Sequence, residues 1–540
     1  MSLRNRLVLP VILSALAVLA GCGGGGSISN PTPPPSGGFT NSNFNGTYTF
    51  SIAGANGNGI FAMAGTLVAC GCSSGTIASG TVDLNDPANG AIVAATIGNN
   101  SVYSITTDGR GTAQLFITPI GGSQTEIDLD FVLTSSSHGL VIRFDGNGTG
   151  SGTIDLQPSA VAQSDLSVTP YAYSLSGSDG SQDAVNAVGA MTLNSSGTIS
   201  PGIQDFSFNG AVSAQASLSG SVTVGSGTGP GSATLGNTPF GSLTFSVYAV
   251  DSNHLKLIEN DGVFTMIGDL FSQPSTSFPT GNLVFTMSGL DTSGLVFVTG
   301  GSMTSDGTTI SNGSEDVNDE GIVDGGTSNP FAFTGFITPL GTGRYELDLT
   351  NYQGGSSFAA YPSTGGLLMM EIDNLGNLAA GSALTQQAGA TLAASQGYGL
   401  SLFGEDDSQL PFSAFELDDV AEFKTTSTAM TGIMDINDGG QGSSNLRGTY
   451  SNGSGGFGFA TFTDGGFGGM FYYAVDGSTA LLISTDPTQS ALGSIEIQST
   501  PTSDAHFATA KAQVLPMHRV LPKFRPGTKR KGTVAFKKNR

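Results

Sequence analysis

The chain has 540 residues, of which 41 are acidic and 18 basic, giving a net charge of −23 at pH 7. It holds 81 Gly, about twice the usual share, three Cys and no Trp. So acidic a protein repels nucleic acid and anionic lipid surfaces. Three cysteines exclude a disulfide framework, and a hydrophobic content of 38% excludes a wholly disordered chain.

The N-terminus carries Arg4 and Arg6, then an apolar run from Leu7 to Ala20 interrupted only by Ser14. This is the layout of a secretory signal, and the run is short for a membrane span. It ends on Leu19-Ala20-Gly21-Cys22. At these four positions the segment resembles the lipobox of bacterial lipoproteins. The resemblance covers residues 1–22 and implies removal of a 1–21 signal peptide. It also implies a palmitate-type lipid on Cys22, the predicted lipidation site, and hence a membrane partner. Gly23 rather than Asp follows the cysteine, which in lipoproteins of this type favours the outer membrane, facing either the periplasm or the surface. Several acyl chains anchor stably where one is marginal. Residues 22–44, with "GGGGS" and "NPTPPP", read as a tether that is flexible and then stiff.

The body is a fourfold internal repeat. "GTYTFSIAG", "PYAYSLSG", "NLVFTMSG" and "GYGLSLFG" open the units and close on Gly54, Gly177, Gly289 and Gly404. About 30 residues on come "DLND" at 83, "DFSFNG" at 205, "DVND" at 316 and "DIND" at 435. Each unit then runs through an apolar stretch to Asp145, Asp261, Asp373 or Asp486, and ends in Gly-x4-Gln on Gln157, Gln273, Gln386 or Gln498. The repeats span 45–157, 169–273, 281–386 and 396–498, joined by short polar segments, and resemble no named family. At about 100 residues each is large enough for its own core.

Within a repeat the pattern is strand and turn. Repeat 1 has eight expected strands, near 47–53, 60–69, 76–85, 101–107, 112–118, 126–134, 139–145 and 150–157. Asp108-Gly109 joins two of them in a tight hairpin. The expected fold class is all-β: four tandem antiparallel meanders strung along the chain. Each is an eight-stranded up-and-down barrel, with a two-sheet β-sandwich as the alternative. No segment shows a sustained helical period.

Asp83, Asp86, Asp316, Asp319, Asp435 and Asp438, two per D-x-N-D segment, are the candidate metal ligands, with Ca2+ as the cation they suit. The competing reading is that Asp and Asn hold tight turns. "DGNGTGSGTIDL" from Asp145 lacks the terminal Glu of a calcium loop and reads as a turn. Cys70-Gly71-Cys72 lies in an inter-strand turn with too few ligands for zinc. It reads as an ornament of that turn, open to oxidation. His138 and His254 occupy equivalent repeat positions and read as structural. The run "GFGFATFTDGGFGGMFYY" at 456–473 reads as two core-facing strands. No G-x-S-x-G elbow, phosphate loop, H-E-x-x-H or dinucleotide fingerprint occurs, so no catalytic residue is assigned.

The tail, 501–540, reverses the charge trend. It holds ten basic residues and one acid, whereas residues 22–500 hold six basic residues and 40 acids. It reads as a disordered segment suited to anionic polymers, lipid or the acidic body itself. The sequence thus points to a lipid-anchored envelope protein with a non-enzymatic role in surface display, adhesion or envelope structure. Its partners would be envelope polymers or other surface macromolecules. A small-molecule carrier is the second reading and a hydrolase the third.

Overall fold

The computed structural model describes residues 38–499 except 87–89, 292–293, 327–329, 374–377, 407–415, 439 and 465–467. The expected 1–21 signal peptide, the expected lipidation site Cys22 and the basic tail 501–540 lie outside the described residues. Strands dominate, and among the described residues the only helical pieces are three short 3-10 turns.

Four antiparallel sheets follow one another along the chain, each a meander whose first strand pairs with both its second and its last. The last sheet is the simplest. Its eight strands, Gly397–Asp406, Glu416–Thr425, Ala429–Asp438, Gln441–Asn452, Phe457–Asp464, Gly469–Ala474, Thr479–Ser484 and Gln489–Ile497, close into a barrel. The first sheet closes where Gly90–Ile97 meets Arg110–Thr118, and the third where Val296–Ser305 meets Thr309–Asp319. Each of these two carries one short extra strand, Val102–Ile105 and Ile322–Asp324. The second leaves a seam between Ala211–Ser217 and Ser219–Thr223, stitched by the bridge Thr198–Ser221.

Gly90–Ile97 is a strand that the alternation in repeat 1 did not mark. Ala94 takes φ 53 there and the register slips between Val82 and Leu84, so the polar–apolar rhythm is broken. The expected 101–107 strand is the short extra one.

Alternate residues fill each barrel with side chains. Phe50, Ile52, Phe131 and Ile154 do so in the first, Tyr173, Leu175 and Phe245 in the second, Phe285, Phe333 and Tyr352 in the third, and Leu400, Phe423 and Tyr472 in the fourth. The repeated glycines mark where first and last strands cross closely. A Cβ on Gly152 would lie 1.7 Å from the Ser51 carbonyl, and one on Gly493 1.9 Å from that of Ser401.

The barrels do not hang as a string. The opening strands of barrel 1 pack on the closing strands of barrel 2, and the same joint repeats from 2 to 3, from 3 to 4 and from 4 back to 1. Apolar clusters cover all four joints. Ala62, Ala64, Tyr248 and Ile258 lie at the first, and Ala172, Val188, Tyr361 and Met370 at the second. Val284, Val298, Leu481 and Ile483 form the third, and Val132, Leu140, Ile142 and Val420 the fourth. The result is a closed head-to-tail ring. The Phe-rich run divides accordingly: Phe462 and Tyr472 point into barrel 4, Phe457, Phe471 and Tyr473 pack toward barrel 3, and Phe459 is exposed.

Candidate functional site

The repeated polar residues meet at the joints of the ring. Glutamine ends each Gly-x4-Gln landmark, and its carboxamide carries two N–H donors on a side chain long enough to cross to a neighbour. Gln157 Nε2 donates to the Ala249 carbonyl at 2.8 Å. Gln273 reaches Pro362 at 2.8 Å, Gln386 reaches Ala474 at 2.8 Å and Gly455 at 2.9 Å, and Gln498 reaches Leu133 at 3.2 Å and Asp108 at 2.7 Å. Each glutamine holds the backbone of the next barrel, and Gln498 closes the cycle onto the first.

The D-x-N-D segments supply a second clamp. Side chains alternate along a strand, so the first Asp and the Asn face outward to the next barrel while the second Asp faces the other way. Asn85 Nδ2 donates to the carbonyls of Glu259 at 3.0 Å and Phe264 at 2.8 Å. Asn318 spans Ser484 at 2.7 Å and Gln489 at 2.6 Å, and Asn437 spans Arg143 at 2.7 Å and Gly148 at 3.1 Å. Barrel 2 has Ser207 at this place. Among the described residues its Oγ has no partner, and neither do the amide atoms of neighbouring Asn186.

The first aspartates face tyrosines. Asp316 accepts from the Tyr473 hydroxyl at 2.6 Å. Asp205 accepts from Tyr361 and from both Nε and Nη2 of Arg344 at 2.7 and 2.8 Å. Burial pushes the Tyr248 phenol up, and the adjacent Asp83 carboxylate adds to the shift. The closing joint differs: Val132 stands in the tyrosine's place, and Asp435 accepts from Ser443 and lies 3.7 Å from Arg110 Nη1.

The second aspartates sit at barrel ends. Asn56 Nδ2 donates to Asp86. Burial and then Asp291 push Asp319 up to about 6, and burial and then Asp406 push Asp438 up to about 8. The six candidate ligands are therefore split between two faces in each of the three repeats that carry them. Among the described residues, no group of three or more His, Cys, Asp or Glu is disposed to hold a metal ion. Asp145 caps its turn, accepting from the Asn147 amide at 2.9 Å and from Arg143 Nε at 2.9 Å.

A charged hub joins barrels 1, 2 and 4. Lys256, fully buried, sits 3.1 Å from Asp155 Oδ2, 3.8 Å from Asp269 Oδ1 and 2.7 Å from the Thr153 hydroxyl. His138 bridges Asp155 at 2.6 Å and Glu496 at 3.1 Å, while His254 pairs with Asp269 at 2.6 Å. Burial opposes charge on His138, but Glu496 and Asp155 outweigh it and raise the imidazole to about 10. Burial likewise opposes the Asp155 carboxylate, and Lys256 with His138 holds it well below the usual range. Both histidines are thus bound into the structure, His138 bridging two carboxylates and His254 hydrogen-bonded to Asp269. Lys256 was legible in principle, since it is one of six basic residues between 22 and 500 and lies inside an apolar run. Cys70 and Cys72 form a disulfide.

No protein-family model matches the chain, and no curated protein matches it either.

Proposed function

We propose that this protein is a lipid-anchored scaffold of the bacterial cell envelope, non-enzymatic in its main role. It is held to the outer membrane through Cys22 and presents a rigid ring of four β-barrels to envelope polymers or surface macromolecules. The observation that carries the reading is the closed cycle of four glutamine clamps, which commits the repeated polar residues to assembly of the ring. Interiors packed with aromatic and aliphatic side chains favour a scaffold over a carrier. The lipobox resemblance supports the anchor.

The test is palmitate labelling in cells, with Cys22→Ser as control, followed by protease treatment of whole cells. Label is expected on the native chain and absent from the variant. Label retained by the variant overturns the anchor. Protease cleavage on intact cells assigns the surface face, and protection assigns the periplasmic one.

A further inference from the structure

The Cys70–Cys72 bridge has little to do as a structural link. It closes a loop with one residue between the cysteines, and the entropy a cross-link removes from an unfolded chain is smallest for the shortest loops. The equivalent turns of the other repeats form without it. Asn194 Oδ1 accepts from the amides of Ser196 and Thr198, both at 3.0 Å, and Asp306 Oδ1 from those of Thr308 and Thr309, both at 2.7 Å. Thr426 Oγ1 accepts from the Ala429 amide at 3.0 Å.

What the bridge does have is access and a prepared leaving group. Both cysteines are partly exposed. Gly71 between them takes φ 62, where a Cβ would meet the Asn45 side chain at 2.6 Å, and its amide donates to the Tyr103 hydroxyl at 2.9 Å. The turn is therefore fixed in place. Cys70 packs against the core of barrel 1, so Cys72 is the outer sulfur. The Cys72 amide donates to Cys70 Sγ at 3.1 Å, a contact that stabilises negative charge on that sulfur. Thiol–disulfide exchange runs faster when the leaving thiolate is stabilised, and small-ring, accessible disulfides are the exchangeable ones.

We propose that Cys70-Gly71-Cys72 is a thiol–disulfide exchange centre that oxidises paired cysteine thiols of another polypeptide. A client thiolate attacks Cys72 Sγ. The client–Cys72 bond forms as the Cys70–Cys72 bond breaks, and Cys70 leaves as the thiolate. The client's second thiolate then attacks its own sulfur in the mixed disulfide and releases Cys72. The client dithiol becomes a disulfide, the bridge becomes a dithiol, and the two client protons pass to the Cys70 and Cys72 thiolates. The client's two electrons reduce the bridge, so one turnover needs no further oxidant.

The test uses the full chain with Cys22→Ser, so that Cys70 and Cys72 are its only cysteines. It is mixed without oxygen with a reduced two-cysteine peptide. One peptide disulfide should form per chain, with two protein thiols appearing and the circular dichroism unchanged. The rate should exceed that of oxidised glutathione by about tenfold or more. A variant that also carries Cys70→Ser and Cys72→Ser should keep the fold and oxidise no peptide. An excess of a single-cysteine peptide should leave its adduct on Cys72. A bridge that stays closed in the native protein and opens only in denaturant overturns the proposal, and an adduct on Cys70 overturns the order of attack.

Discussion

Lys256 and Asp155 form a pair in which each member is buried against the other's charge. Lys256→Met leaves the carboxylate buried with His138 as its remaining cation, and removing one partner of a buried pair costs about 3–5 kcal/mol. Urea unfolding should show that loss, and adding Asp155→Asn should recover most of it, because the Asp155 charge is then gone while Asp269 keeps its His254 partner. A smaller effect is expected at Gln386→Ala. It strips the donor from the carbonyl of buried Ala474, and an unpaired buried acceptor costs about 1–3 kcal/mol. The same measurement checks it, with a lowered urea midpoint as the outcome. At this scale the sequence displayed the glutamines but not their job. They stood out by repetition, yet they bond to backbone carbonyls, and a carbonyl leaves no mark in a sequence.

The joints between barrels explain what the repeated acidic segments do. They were legible as a recurrent element and read as a ligand set because two carboxylates lie three residues apart. Strand alternation places those carboxylates on opposite faces, which spacing along the chain alone does not convey. The departure of repeat 2 from the pattern has a consequence here. Ser207 has a shorter side chain than the asparagine at the other three joints, and among the described residues its hydroxyl and the Asn186 amide have no partner. Ser207→Asn should restore the clamp seen at the other three joints and raise stability by about 0.5–1.5 kcal/mol, the net worth of a hydrogen bond. A shift of the urea midpoint upward at unchanged slope is the expected result, and a downward shift refutes the clamp at this joint. Barrel architecture itself was readable, because alternation and turn residues specify a meander locally. The strand Gly90–Ile97 was not, because a register slip and a residue at positive φ erase its rhythm.

Across the molecule, burial dominates the titration of the acids. It pushes Glu259 and Glu315 up to about 8 and Glu371 up to about 9, and together with nearby charges it raises Asp130 and Glu422 to about 7. Unfolded carboxyls titrate near 4, so between about 4 and 9 the folded protein binds more protons than the unfolded chain. Stability is therefore fullest in mild acid and falls as pH rises through these values. The His138 contribution, present below about 6.5 and lost through about 10, runs in the same direction. Asp155 acts the other way, but its share is lost only below about 4. The thermal midpoint should drop by about 5 °C or more from pH 5.5 to pH 9, measured by calorimetry. Four repeats were visible in the sequence, but their closure was not, since the partners at the last joint lie at opposite ends of the body. That closure also governs how the molecule can change in evolution. An open array gains or loses modules at its ends, provided that capping units shield the terminal faces. A cycle has no terminal face and needs no cap. Deleting one module would bare two complementary surfaces at once, and inserting a fifth would demand a new angle at every joint, so copy number here is locked at four.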